Sequence, residues 1–301
     1  MVDSSVVARA EMGHARQAIP KRIIQTAKSL SLSPLAKASK ANLSLLHPDW
    51  DFEFFDDSDI AVFIAREFPQ YRSVFEAFPR PIQRIDFFRY LAIYRLGGFY
   101  FDLDVFLWTN INVLTQFSGV FPFEELTLNR YLRNSHGMDW EIGNYAFGAA
   151  AGHPFLKKVI ENCVRCQREP MWLKPIQDGA PLPFRSEFYV LNSTGPGLLS
   201  RTLAENPDLA NGMQILFPDD VCDESTWHHF GKFGFHAMEG SWRDRGSYLR
   251  RRFGNIWLTR ISRPMFEESR RHGKTRNLTS RLGRQDAASN RVEMSALATE
   301  S

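Results

Sequence analysis

The sequence predicts an α/β fold, a mixed sheet flanked by helices in one continuous domain. Short runs rich in Ile, Phe and Tyr alternate with longer stretches of three- and four-residue periodicity, an order that lays helices on the faces of a sheet. The 301 residues are 44% hydrophobic and 13% aromatic, enough for a sizeable core. No internal repeat divides the chain into smaller units.

A strand is expected at about 21–25, and Ser33 before Pro34 suits the start of a helix over 33–46. A strand near 51–55 follows, and Asp57-Ser58-Asp59 opens a helix to about 67. Pro69 breaks that pattern, and a short helix reaches about 77. Residues 111–150 read as short strands and irregular connections, VFPF at Val120–Phe123 among them. Pro154 begins a helix to about 168, and Pro170 to Pro183 reads as a Pro-rich loop. Gly197 to Asn206 looks helical, and Gln214 to Phe217 looks like a strand.

The most informative segment is Pro81 to Val105, PIQRIDFFRYLAIYRLGGFYFDLDV. Pro81 suits a first helical turn, where a missing N–H costs nothing. Ile82, Ile85, Phe88, Ala92 and Leu96 recur at helical steps and predict one buried face. Asp86 and Arg89 lie one turn apart on another face. Gly97 and Gly98 end the helix, because glycine accepts the positive φ of a last turn. Phe99, Tyr100 and Phe101 then read as an apolar strand with Asp102 and Asp104 at its end. In an extended chain, residues two apart face the same way, so both carboxylates are expected at one site. Such a pair repels unless a cation lies between. A hard divalent ion, Mn²⁺ or Mg²⁺, takes oxygen ligands and keeps positions for phosphates.

Asp86, Arg89, Gly97, Gly98, Tyr100, Asp102 and Asp104 stand in the order and spacing of glycosyltransferase family 32, the DXD sugar-binding region transferases, which the chain resembles. The same segment looks like the catalytic core of glucosylating bacterial toxins. IPKRIIQT at Ile19–Thr26, NYAFGAAAGHPF at Asn144–Phe155 and the Gly240-Ser241-Trp242 stretch are similar to other parts of the family more loosely. The resemblance implies a GT-A type, Rossmann-like domain over residues 19–260. It also implies a metal-dependent, retaining hexosyltransferase that takes a nucleotide-diphosphate sugar to a glycan or lipid-linked glycan, as in polysaccharide biosynthesis. By the same resemblance, Asp102, Asp104 and His236 would ligate Mn²⁺ or Mg²⁺, and Asp102, Asp104, Asp86 and Arg89 would be catalytic. Gln25, Thr26, Asp86, Arg89, Tyr100, Asp102, Asn144 and Trp242 would bind the donor.

Several of these residues have a plainer reading. His236 among aromatics also fits a packed imidazole, Trp242 fits core packing, and Asn144 fits a turn. Thr194-Gly195-Pro196 most simply forms a turn, and His228 and His229 an exposed loop pair. The sequence departs from the family at Ile24 and Ala27, where a His and a base-stacking aromatic are usual. Base stacking would then fall to Phe55 or Trp242. An Asp-X-Asp phosphatase wants Thr or Val where Phe106 stands, which argues against that chemistry. A transferase acting on a protein acceptor, in the manner of an effector, and a non-catalytic nucleotide-sugar-binding module remain as alternatives.

The net charge of +3 is concentrated late in the chain, where Arg250, Arg251 and Arg252 open an Arg-rich stretch. Residues 261–301 read as a basic, partly disordered tail suited to peripheral contact with an anionic membrane. No nucleic-acid motif accompanies the charge, so nucleic acid is not expected as a partner. No run of about 18 apolar residues predicts a membrane span, and residues 1–18 read as a flexible segment without a signal-peptide core. A cytoplasmic protein, associated with membrane at its periphery, is the expectation. Three cysteines speak against a disulfide scaffold, and Cys163 and Cys166 read as small helix residues rather than a zinc pair.

Overall fold

The computed structural model describes residues 18–237 apart from 182–184, 219–220 and 222. Trp242, the basic tail and nearly all of the expected N-terminal segment therefore lie outside the described residues.

The mixed α/β fold expected from the sequence is what the chain adopts. Seven strands form one sheet: β1 (Arg22–Thr26), β2 (Asp51–Phe55), β3 (Gly98–Phe101), β5 (Gly119–Leu126), β6 (Trp140–Ile142), β7 (Ala146–Ala149) and β8 (Met213–Leu216). The order is β2-β1-β3-β7-β5-β6, with β8 also pairing β5. β2, β1 and β3 run parallel, and so do β5 and β8, while β7 runs antiparallel between β3 and β5. The carboxyl ends of β1, β2 and β3 thus share one edge beside a reversal of strand direction. In open α/β sheets that edge is where ligands bind. A separate two-stranded ribbon pairs β4 (Val105–Leu107) with β9 (Gly234–His236).

The helices are α1 (Pro34–Leu46), α2 (Asp57–Glu67), α3 (Arg72–Ala77), α4 (Pro81–Leu96), α5 (Arg130–His136), α6 (Pro154–Arg168), α7 (Pro170–Gly179), α8 (Arg185–Ser193) and α9 (Pro196–Glu205). Ser33 caps α1 by accepting the Ala36 amide. Asp56 caps α2 in a reciprocal box with Asp59, one residue before the expected start. The sheet separates two apolar layers. Phe99 and Phe101 enter one with Val105 and Trp50, while Tyr100 enters the other with Phe88 and Phe147.

Three expectations need correction. Helix α4 is not amphipathic: every residue from Asp86 to Ile93 is buried, because the sheet covers one side and α6 and neighbouring helices cover the other. Ile82, Ile85 and Leu96, expected in a buried stripe, are half-buried. Pro170 to Gly179 is a helix rather than a loop. Pro170 occupies its first turn, and burial of Leu173 and Ile176 offsets the bond lost at Pro175. Within 111–150, α5 was not foreseen, although Asn129 caps it and Gly137, at φ +65°, closes it.

Candidate active site

The acidic pair follows β3 directly. Asp102 donates its amide to the Tyr145 carbonyl at 2.7 Å, and Val105 donates back to the Asp102 carbonyl at 3.2 Å. Residues 102–104 therefore make a turn, not an extended strand, and the turn rather than strand alternation brings the two carboxylates together. The β4–β9 ribbon then places Val105 opposite His236, and Ala237 donates its amide to the Asp104 carbonyl at 2.8 Å. One ligand atom each from Asp102, Asp104 and His236 lie within 4.8 Å of one another. His236 Nε2 is 3.1 Å from Asp104 Oδ1. The imidazole stacks on the Tyr145 ring, centroids 4.6 Å apart and 14° from parallel. Asp102, Asp104 and His236 thus converge, from segments more than 130 residues apart.

Behind the pair sits a buried polar network from α4. Arg89 reaches Asp102 Oδ1 at 3.2 Å and Asp86 Oδ1 at 3.5 Å. It donates to the Asn144 carbonyl at 2.8 Å and lies over the Tyr100 ring. Asp86 accepts from Asn144 Nδ2 at 3.0 Å and from Thr194 Oγ1 at 2.9 Å, so both its oxygens are engaged. The Tyr100 hydroxyl donates to Asp102 Oδ1 at 2.9 Å, leaving the Thr26 hydroxyl to donate to Tyr100 at 3.0 Å. Asp86 and Arg89 side chains are only 5% and 3% exposed, against 27% for Asp102 and 14% for Asp104. Asp102 and Asp104 meet solvent, whereas Asp86 and Arg89 lie inside.

Charge explains why a cation suits this place. Asp86 and Asp102 share the Arg89 guanidinium, and Asp104 faces the His236 imidazole. Burial pushes the Asp86 carboxyl up to about 6 against the pull of Arg89. Burial likewise raises Asp102, with Arg89 and His236 opposing and Asp104 adding to the rise. Burial works against the Arg89 charge, but Asp102 and Asp86 outweigh it and keep the group protonated. Two carboxylates plus an imidazole, one of them already held by Arg89, form a donor set that fits a divalent ion such as Mn²⁺ or Mg²⁺.

The remaining candidates divide. Thr26 joins the network, but Gln25 points to the opposite face of β1, where its Nε2 is buried without a partner among the described residues. Asn144 is spent on Asp86 and Tyr90 rather than open to solvent. Phe55 packs against Phe63 and Phe88 in the core. His228 and His229 are half-buried, not an exposed pair: His228 adopts φ +59° and its Nδ1 lies 3.2 Å from Glu124. Tyr145 and Tyr90, which the sequence did not single out, complete the site together with Thr194, whose Thr-Gly-Pro turn it did. Their only sequence signals are adjacency to Asn144, a place on the α4 helix, and the Thr-Gly-Pro turn.

Residues 35–120 match the family model described as a glycosyltransferase sugar-binding region containing a DXD motif. That span holds α4, the two glycines and the Asp102-Leu103-Asp104 turn, so the match falls on the segment that carries the acidic pair. The inositol phosphoceramide mannosyltransferase 3 of Schizosaccharomyces pombe is 30% identical over 148 residues, 49% of this chain and 38% of that protein. The mannosyl phosphorylinositol ceramide synthase CSH1 of Saccharomyces cerevisiae is 24% identical over 282 residues, covering 81% of this chain and 68% of its own. The match thus spans well under half of the first relative's length and about two thirds of the second's. Among solved structures, the PaToxG glycosyltransferase superposes with a TM-score of 0.42 at 17% identity, over 65% of this chain and 74% of that one. The ligand-free glycosyltransferase domain of the YGT toxin gives 0.46 at 8% identity, over 66% and 80%. At such scores neither assigns a role to any residue here.

Proposed function

We propose that the chain is a metal-dependent, retaining hexosyltransferase that moves mannose from a nucleotide-diphosphate sugar to a hydroxyl of a lipid-linked acceptor carrying an inositol phosphate or glycan headgroup. The observation that carries this reading is the Asp102–Asp104–His236 cluster at the carboxyl edge of the parallel strands, whose two aspartates fall within the residues matched by the family model. The choice of mannose and of a sphingolipid-type acceptor is supported by the names of the relatives.

Bound between Asp102, Asp104 and His236, a divalent cation would supply Lewis-acid neutralisation of the charge on a departing diphosphate. The protein's own part is to hold those ligands still. Arg89 and Tyr100 both engage Asp102 Oδ1, which leaves Oδ2 for the site. Asp86 fixes Arg89, and Thr194 and Asn144 fix Asp86. Asp86 and Arg89 therefore act through Asp102 rather than by touching the sugar. The His236 ring is held in plane by Tyr145.

Release of free nucleotide from a panel of nucleotide sugars, with and without Mn²⁺, tests the reading. A nucleotide-diphosphate mannose is expected to be turned over only with metal. Asp104→Ala should lower that rate on the order of a thousandfold with no loss of cooperative melting. Undiminished turnover by the variant would refute the assignment.

A further inference from the structure

The ribbon that delivers His236 has two unlike faces. Val105 and Leu107 point inward and are buried in the second apolar layer. On the outward face Phe106 pairs with Phe235, rings 5.7 Å apart and 20° from parallel, and Trp108 stacks on Phe235 at 5.8 Å. Trp108 is 55% exposed. An outward strand face is ordinarily polar; this one is an aromatic ladder that begins two residues after Asp104.

Helix α1 lies against β4. It is held there by Ser39, which donates to the Val105 carbonyl, and by Asn42, which bonds both the amide and the carbonyl of Leu107. Its outer positions are Pro34, Lys37, Ala38, Ala41 and Leu45, the last 81% exposed. From Ala27 to Pro48 the chain holds Lys28, Lys37 and Lys40 and no acidic residue. Leu30, ahead of the helix, is 76% exposed, and Lys232 lies in the turn that leads into β9. An exposed apolar and aromatic surface bordered on its α1 side by lysines without acids, with Asp223 set beyond His229 on the far side of Trp108, matches the headgroup layer of an anionic bilayer.

We propose that the outer face of the β4–β9 ribbon, together with α1 and the loop before it, docks on an anionic lipid surface. Trp108 and Leu45 enter the interface, the lysines meet lipid phosphates, and the Asp102–Asp104 turn comes to the membrane at headgroup height. This rests on the lipid-acceptor reading above and says how such an acceptor is met without leaving the bilayer.

Co-sedimentation of the full chain with vesicles of phosphatidylcholine, alone or mixed with phosphatidylserine, tests the face. Binding to the mixed vesicles is expected, weakened about tenfold by Trp108→Ser and at least about fivefold by Lys37→Glu. Both variants should keep the wild-type melting temperature and the wild-type rate of Mn²⁺-dependent hydrolysis of a soluble donor. Failure of the wild type to bind, or full retention of binding by both folded variants, would overturn the proposal. So would a wild-type dimer that either variant dissociates, because the face would then be a contact between copies. Vesicle binding that depends on Trp108 in a protein with no donor hydrolysis would uphold the face and sink the transferase reading instead.

Discussion

Arg89 is the residue on which the site's order depends, because it links a buried carboxylate, Asp86, to a solvent-facing one, Asp102. Tyr100 is its nearest collaborator. Tyr100→Phe removes the hydroxyl that bonds Asp102 and Thr26, so Mn²⁺ affinity should fall about tenfold while stability falls by about 1 kcal/mol. Metal titration and chemical denaturation of the same variant read the two effects separately. Glu141 offers a test of burial away from the cluster. It is 7% exposed, accepts from Thr127 and faces Glu125, and burial first and that neighbour second push its carboxyl up to about 8. A raised carboxylate contributes stability below its unfolded value of 4.5 and loses it as pH rises through about 8. Glu141→Gln should therefore be the more stable protein above about pH 8 and gain nothing below about pH 5, as followed by thermal melting across that range.

At the level of elements, the passage from α4 through the two glycines to β3 sets where the aspartates emerge. Gly98 sits at φ +113°, and a Cβ there would lie 2.7 Å from the Arg22 carbonyl on the neighbouring strand. Gly98→Ala should cost about 2 kcal/mol or more, measurable by urea titration, and should lower metal affinity along with stability. This passage was legible in the sequence because its signals are local: Pro81 at the start, helical spacing, and paired glycines at the stop. Helix α7 was not, since Pro170 and Pro175 argue for a loop until Leu173 and Ile176 find a buried surface. The meeting of Asp102 with Asp104 was foreseen for a strand and is achieved by a turn. Gln25 and Thr26 were paired as donor ligands, although strand alternation already sends them to opposite faces of β1.

Across the whole molecule, the site is a junction of distant segments, and distance along the chain decided what could be read. His236 reaches Asp104 through a two-stranded ribbon, Thr194 reaches Asp86 across 108 positions, and Tyr145 reaches His236 by ring stacking. Composition and periodicity carry no information on such pairings; for His236 the resemblance to a family did. Among the described residues, no helix is long and apolar enough to cross a membrane, so the proposed lipid contact rests on the surface beside the ribbon. The central claim is that the acidic pair and His236 hold a divalent ion that in turn holds a nucleotide diphosphate. Calorimetry of GDP and UDP binding in the presence and absence of Mn²⁺, on the wild type and Asp104→Ala, tests it most directly. The wild type should bind only with metal and the variant should not bind measurably in either condition; metal-independent binding, or equal metal-dependent binding by the variant, would contradict the account.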